Sequence, residues 1–298
     1  MNVHDLALVG VLSLSSMTPI ALTAVGEVIA ERSGVVNIGL EGILLISAWT
    51  SVYAGLYWGG WPAGYLMGLL TGLLLGLLHA AIAVYARGDQ IIAGIGLNIA
   101  AAGGTTLATR AVWGNYAQSP RVPQAPPSIT IMGQRVSIMV FAAVVIAFLA
   151  WWLLEKTRTG LRIKAVGDDP RAADALGISV EKTRLLATVL GGSLAGLAGA
   201  YMSIDYLGSF VKLMSAGRGF IALAAVAFSG WDPLGALLGS IIFGFGDALG
   251  RYYSITSGAT ANAYLYYTIP YILTLLAVAA TAWRAKMPRA LGQPYKRE

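Results

Sequence analysis

Cysteine is absent from this chain of 298 residues, and charged residues are scarce. Without cysteine, the chain forms no disulfides, thiolate metal sites or cysteine nucleophiles. Its two histidines, His4 and His79, are too far apart in the sequence to favour a histidine metal site. Charged residues make up 11% of the chain, whereas a soluble domain carries about 25%. With 57% hydrophobic residues, the composition predicts an integral membrane protein.

Signatures of enzymatic chemistry are also lacking. The sequence has no G-x-x-x-x-G-K-[ST] phosphate loop, so we do not expect the chain itself to bind and hydrolyse ATP in that way. It has no nucleophile elbow, zinc motif or suitably spaced carboxylate pair, so we predict neither catalytic residues nor metal ligands. The net charge of +6 comes from basic residues clustered in loop segments, which favours membrane orientation over nucleic-acid binding.

The hydrophobic segments predict an all-α, polytopic membrane helical bundle with about eight to nine segments. The first should break at Thr18-Pro19, because proline removes a backbone donor. It should be a retained helix, since no basic region precedes it. Near 219–250 we expect a re-entrant-like pair of short helices joined by a tight turn. The candidate segments are 6–30, 43–59, 62–86, 91–109, 137–154, 185–206, 219–230, 234–250 and 263–284.

Basic residues predict the orientation of the chain. Lysine and arginine are concentrated in 155–184 and in the C-terminal tail from Arg284 onwards. Because cytoplasmic loops carry an excess of these residues, both segments should face the cytoplasm.

A polar stretch at 33–42 interrupts two long apolar runs. It contains Asn37, Glu41 and three glycines. An ionised carboxylate in hydrocarbon costs several kcal/mol or more, so the stretch is either a loop in water or a polar site within the membrane. Gln90 and Asn98 lie close to one face of the fourth segment, where amides either hold helices together or face a polar pathway.

The basic loop contains a short, bounded helix. Asp169 suits the N-cap, Pro170 the first helical position and Gly177 the left-handed C-terminal position. We expect a small apolar face on this helix. It would be either a docking knob or an interfacial helix on anionic lipid. The candidate docking residues are Asp169, Pro170, Arg171, Ala172, Ala173, Leu176 and Gly177, with the face formed by Ala172, Ala173 and Leu176.

Four stretches resemble a known family. They are Glu31–Gly42 (ERSGVVNIGLEG), Ala165–Ile178, Ala216–Ala224 followed by Trp231–Gly235, and Ala290–Tyr295. In collinear order they resemble permease subunits of bacterial ATP-binding cassette importers. The resemblance is to the branch for nucleosides and simple sugars, which is also similar to ribose and branched-chain amino-acid permeases.

The resemblance implies a division of labour among several proteins. A cytoplasmic ATP-binding cassette ATPase would use ATP and Mg, and this chain would bind no cofactor. A second permease, usually a different and longer chain, would complete the pathway, and an extracytoplasmic binding protein would deliver the substrate. The whole chain, 1–298, would then be one permease domain in the bacterial cytoplasmic (inner) membrane, with 155–184 as its cytoplasmic coupling loop.

Candidate pathway residues follow from a neutral cargo rich in hydrogen-bonding groups, which amides suit better than charges. They are Asn37, Glu41, Gln90 and Asn98. Glu41 would either accept hydrogen bonds from ribose hydroxyls or anchor a broken helix to a backbone donor, and we favour the anchor. Two alternatives remain: a secondary transporter driven by an ion gradient, and the same importer type for ribose-like sugars or branched-chain amino acids.

Overall fold

The computed structural model describes residues 2–256 and 287–296, together with Thr268, Ile272 and Ala279. Helices dominate these residues, and a small β-hairpin joins two of them. The helices are α1 (Val3–Arg32), α2 (Leu40–Ala54), α3 (Gly60–Ala80), α4 (Gln90–Trp113), α5 (Ile138–Lys156), α6 (Arg158–Asp168), α7 (Pro170–Ala175), α8 (Val180–Ala200), α9 (Arg218–Ser229) and α10 (Pro233–Thr256). The hairpin strands are β1 (Ser128–Ile131) and β2 (Gln134–Ser137), and π-helical turns follow α2, α3 and α8.

Six helical stretches in the described part of the chain are long and apolar enough to cross a membrane. One runs for 46 residues from Leu40 to Tyr85, but it contains a turn at Gly59 and Gly60, whose φ angles are 157° and 69°. Because α2 and α3 pack together on either side of this turn, the stretch is a helical hairpin. The predicted helical membrane bundle is confirmed. Each of the eight predicted segments from 6–30 to 234–250 corresponds to a helix, and nearly all of the ninth, 263–284, lies outside the described residues.

The predicted break at Thr18-Pro19 does not occur, because α1 continues through Pro19. Proline cannot donate to the carbonyl of Ser15, four residues earlier. The hydroxyl of Tyr201 donates to that carbonyl instead, at 3.1 Å. A side chain from α8's π-helical turn therefore satisfies the acceptor that proline leaves free, and the helix stays intact.

The expected pair of short helices is only half right. The turn after Ser229 joins α9 to α10 as predicted, and α9 has 12 residues. However, α10 has 24 residues and is long enough to cross a membrane. A single short helix therefore packs against a full-length one.

The loop between α4 and α5 contains the hairpin, which the sequence pattern did not predict. Its strands pair antiparallel from Ser128 opposite Ser137 to Ile131 opposite Gln134. The hydroxyl of Ser137 donates to Asp205 at 2.7 Å, and Tyr65 at the start of α3 donates to the same carboxylate. These contacts bring the hairpin, α3 and the end of α8 together at one end of the bundle. The basic segment with α6 and α7 lies at the other end.

Glycines allow the closest helix contact in the bundle, between α3 and α8. Gly68 and Gly72 face Gly192 and Gly196, and all four are buried or nearly so. A Cβ added at Gly72 would lie 2.6 Å from the Cα of Gly196, a distance real Cβ atoms do not adopt. Close backbone approach of this kind provides the packing that drives helix association in lipid.

We predict that Gly72→Val will destabilise the folded protein, because the added side chain must push α3 away from α8. Overpacking of this kind costs about 1–3 kcal/mol. Gly103→Val on α4 is the matched control, since a Cβ there meets no atom within 4 Å. Thermal unfolding in detergent should show a lower Tm for Gly72→Val alone; equal Tm values for both variants would contradict the close contact.

Candidate functional site

The polar stretch between α1 and α2 is non-helical backbone enclosed by the bundle. Helix α1 ends at Arg32, Gly34 has a φ of 97°, and α2 begins at Leu40. Ser33, Val35 and Asn37 are almost completely buried. Away from water, each peptide group in this segment needs a hydrogen-bond partner, because an unpaired group costs several kcal/mol in a membrane.

Side chains from α3 and α4 supply many of these partners. The Gln90 carboxamide oxygen accepts from Val36 N–H at 2.8 Å, and His79 Nε2 lies 2.9 Å from the Val36 carbonyl oxygen. Asn98 makes two such contacts: its oxygen accepts from Gly42 N–H at 2.7 Å, and its amide donates to Ile38 O at 2.9 Å. The structure thus places Gln90 and Asn98 on the same side of the stretch, where both side chains form hydrogen bonds with its peptide groups.

Glu27 on α1 contacts the centre of the stretch. It was not among the residues predicted from the sequence. Its Oε1 accepts from Asn37 N–H at 2.7 Å, and the Asn37 side-chain oxygen accepts from Gly39 N–H at 2.9 Å. Glu27 is fully buried. The available signal was a carboxylate inside the first apolar run, on the same helix face as Glu31 one turn later.

Glu41 holds the N-terminus of the short helix α9. Its two carboxylate oxygens accept from the backbone N–H groups of Gly217 and Gly219, each at 2.8 Å. The first N–H groups of a helix have no partner within the helix, and a carboxylate there is also favoured by the helix dipole. The geometry is that of an anchor between α2 and α9. Asn37 precedes α2, so it does not share a helical face with Glu41.

The other end of α9 is tied to the end of α1. Glu31 accepts from the indole N–H of Trp231, which follows α9. Arg32 Nε donates to the Trp231 carbonyl at 2.8 Å, and its Nη2 donates to the Gly230 carbonyl at 3.3 Å. Residues within and just before the polar stretch therefore fix both ends of α9: Glu41 holds its N-terminus, and Glu31 and Arg32 hold its C-terminal end.

A cavity of about 310 Å³ lies beyond the N-terminus of α9. It is bordered by α1, by the turn after α8 and by α10. Its polar lining comes from Tyr206, Arg218, Asp247 and Arg251. The four predicted pathway residues are not among its lining residues, because they lie around the polar stretch instead.

The short helix predicted in the basic loop is present as α7. Asp169 Oδ1 accepts from Ala172 N–H at 3.0 Å, Pro170 is the first helical residue, and Gly177 has a φ of 81°. The expected apolar face is wrong in one member. Ala173 packs inward against α6 and α8 and is 2% exposed, whereas Leu176 is 82% exposed. Ala173 is therefore part of the fold, and Leu176 is the exposed apolar residue.

The C-terminal tail fastens this loop to the polar stretch. The buried Arg184 donates to Ser33 O at 3.1 Å and to Gln293 O at 2.8 Å. Ala290 N–H donates to Gly167 O at 2.9 Å, and Gly292 N–H donates to Gly34 O at 3.1 Å. Arg184, which the sequence indicated only as part of the basic segment 155–184, therefore links α8, the polar stretch and the C-terminal tail.

Several known proteins are similar to this chain in sequence, and one solved structure is similar in fold. The family described as branched-chain amino acid transport system / permease component matches residues 10–278. The guanosine ABC transporter permease protein NupQ of Bacillus subtilis is 37% identical over 313 aligned positions, covering 98% of each chain. The nucleoside ABC transporter permease protein NupC of Lactococcus lactis is 35% identical over 93% of each chain.

A solved structure supports the fold. A chain from a metal-chelate type ABC transporter in an inward-facing conformation aligns with a TM-score of 0.50 and 16% identity, covering 91% of this chain and 85% of the other. At that identity the likeness concerns the fold alone. The family match over most of the length and the two nearly full-length relatives carry the assignment: this chain belongs to the branched-chain amino-acid type family of ABC transporter permeases, which are multi-pass membrane subunits.

Proposed function

We propose that this chain forms half of the translocation pathway of an ATP-driven importer for nucleosides. The observation that carries the proposal is its 35–37% identity, over nearly the full length, to permeases named for guanosine and nucleoside transport. Sugars and branched-chain amino acids are the competing cargoes, and the family description favours the second of these.

The proposed complex supplies what this chain lacks. ABC permeases work with ATPase and substrate-binding partners. In this proposal a cytoplasmic ATPase uses ATP and Mg, this permease binds no cofactor and catalyses no reaction, and an extracytoplasmic protein delivers the nucleoside. A different, longer permease forms the other half of the pathway. The whole of 1–298 acts as one permease domain in the bacterial cytoplasmic membrane, with its C-terminus in the cytoplasm.

The coupling loop 155–184 would transmit ATPase movement into the membrane. The exposed end of α7, with Ala172 and Leu176, contacts the ATPase, while Asp169, Pro170 and Gly177 keep the helix short and rigid. Arg171 adds a positive charge to the same surface. Because the loop is bonded to the polar stretch through the tail, movement of α7 reaches α9. The two states of the pathway then differ in the position of α9 and its neighbours.

The polar residues at 33–42 would serve this transmission. Asn37, Glu41, Gln90 and Asn98 shape the inner part of the pathway by holding its backbone, as their contacts with peptide groups support. In this proposal the oxygens of all four side chains, and the amide nitrogen of Asn98, are used by the protein, so their effect on transport is independent of the cargo.

The energy source tests the proposed function directly. In cells that express the complete importer, nucleoside uptake should disappear when the ATPase is deleted and should persist when an uncoupler collapses the ion gradient at maintained ATP. The reverse pattern would identify a secondary transporter. Competition by guanosine, ribose and valine in the same assay identifies the cargo, and inhibition by valine alone would overturn the nucleoside assignment.

Leu176→Asp should weaken association with the ATPase at least about tenfold, since an apolar contact is replaced by a desolvated charge. The fold should be kept, because the residue is 82% exposed. Leu161→Asp is the matched control: Leu161 is also exposed, but it belongs to α6. Co-purification and thermal unfolding measure the two effects, and ATPase binding unchanged by Leu176→Asp would exclude α7 as the docking helix.

Asn98→Leu should lower the Tm and reduce the uptake of every cargo by the same factor. The variant leaves Gly42 N–H and Ile38 O unpaired, at about 1–3 kcal/mol for each buried group. Thr106→Val on the same helix is the control, since Thr106 bonds within its own helix to Ala102 O. A cargo-selective loss of uptake with an unchanged Tm would show instead that Asn98 touches the substrate.

A further inference from the structure

We propose that the cargo is held, on its way through this chain, in the cavity around Tyr206, and that Tyr206 and Asp247 determine which cargo is accepted. We call this space the Tyr206 cavity; it is lined by Ile20, Met202, Tyr206, Arg218, Phe243, Asp247 and Arg251, among other residues. The inference rests on the proposed function and gives that function a site.

The position of the Tyr206 cavity suits a transported molecule. Ile20, which borders it, lies near the middle of α1, so the cavity lies near the middle of a membrane-spanning helix. The short helix α9 begins at Arg218, directly at the cavity. Transporters commonly place their substrate at mid-membrane depth against the N-terminus of such a partial helix. The volume of about 310 Å³ falls at the lower end of the range of small-molecule sites, roughly 300–1,000 Å³.

Three charged side chains lie together at this cavity. Asp247 is 3.6 Å from Arg218 and 3.0 Å from Arg251, measured between nitrogen and oxygen atoms. Arg218 is 8% exposed and also donates to the carbonyl of Met214 at 3.2 Å. Ionisable groups within membrane segments mark substrate or ion pathways when they face the interior of the bundle. The network fixes hydrogen-bonding groups at the cavity without leaving a buried charge unpaired.

The tyrosine ring joins this network to an apolar wall. The guanidinium of Arg251 lies 4.8 Å from the Tyr206 ring centre, and that of Arg218 lies 5.9 Å away. The Tyr206 hydroxyl is 3.1 Å from Ser16 Oγ on α1. Ile20, Met202 and Phe243 complete the opposite, apolar lining. A ligand with one flat apolar surface and one edge of donors and acceptors matches these two sides, since bases stack on aromatic rings and guanidinium planes.

The charges favour a neutral ligand over a zwitterionic one. An amino acid would need one cation for its carboxylate and one separate anion for its ammonium group. Here Asp247, the one carboxylate among the described residues that line the cavity, is shared by two arginines. Glu41, close by on α2, is bonded to the backbone of α9. A nucleoside, neutral and with hydroxyl and amide groups, can hydrogen-bond to these side chains without separating the ion pairs.

A second cavity lies next to the Tyr206 cavity, on the side of the hairpin. It measures about 380 Å³, and its lining includes Ser128, Arg135, Ser137 and Asp205. Tyr206 lines both cavities, so its ring forms a boundary between them. In the proposal, the cargo moves from the hairpin end, past Tyr206, to the start of α9.

The test uses the complete importer in proteoliposomes with ATP inside and saturating binding protein. Guanosine uptake should fall at least about tenfold in Tyr206→Leu, which removes the aromatic ring on which a base would stack, and in Asp247→Asn, which removes the carboxylate that would accept a hydrogen bond. Tyr206→Phe, which keeps the ring, should retain most of the activity. Asp89→Asn is the matched control, because it removes a carboxylate at the N-cap of α4, outside the cavity, and asparagine keeps the cap.

Photolabelling keeps the proposal testable even where a variant does not fold. The unchanged importer is illuminated during transport with 8-azidoadenosine, and labelled peptides are identified by mass spectrometry. Label should appear in 201–218 and 243–251 and should be lost when guanosine competes. Label confined to 36–42 or 90–98, or normal guanosine uptake by Tyr206→Leu and Asp247→Asn, would overturn this inference alone. Failure of the unchanged importer to transport any nucleoside would overturn the proposed function together with it.

Discussion

The polar stretch between α1 and α2 must have its peptide groups hydrogen-bonded although helix geometry is abandoned there. In a membrane this requirement is strict, because no bulk water replaces a missing partner. Here the partners come from different helices: Glu27 from α1, Gln90 and Asn98 from α4, and Arg184 from α8. One short segment of irregular backbone thereby fixes the relative positions of α1, α4 and α8.

The same requirement creates a mechanical connection. Glu31 and Arg32 hold the far end of α9, and Glu41 holds its N-terminus. On the other side, Gly34 accepts from the C-terminal tail, which also bonds to the coupling loop at Gly167. Packed elements joined by hydrogen bonds move as units and do not deform continuously. The hydrogen bonds from the loop through the tail and the polar stretch to α9 are the connection that the proposed coupling requires.

Local signals in the sequence were sufficient for the existence of most long helices and for both ends of α7, because hydropathy and capping act over a few residues. Asp169, Pro170 and Gly177 bound α7 where predicted. The failures depend on distant partners. The break at Pro19 is avoided by Tyr201, which follows α8 and lies 186 residues after Ser15, whose carbonyl it contacts. The inward side of Ala173 is decided by α6 and α8, and Glu27 is selected only by its contact with Asn37.

The division between backbone-holding and cavity-lining residues has a consequence for specificity. Asn98 and Glu41 bond peptide groups with both of their side-chain polar atoms, and Asn37 and Gln90 do so with their side-chain oxygens. Tyr206, Asp247 and Arg251 face open space, where a change of side chain alters the ligand environment without removing a backbone partner. A fold arranged in this way can change its cargo at the cavity while keeping its architecture and its connection to the ATPase. In this proposal, a difference in cargo between permeases of the family reflects the residues that line the cavity and leaves the backbone-holding residues in place.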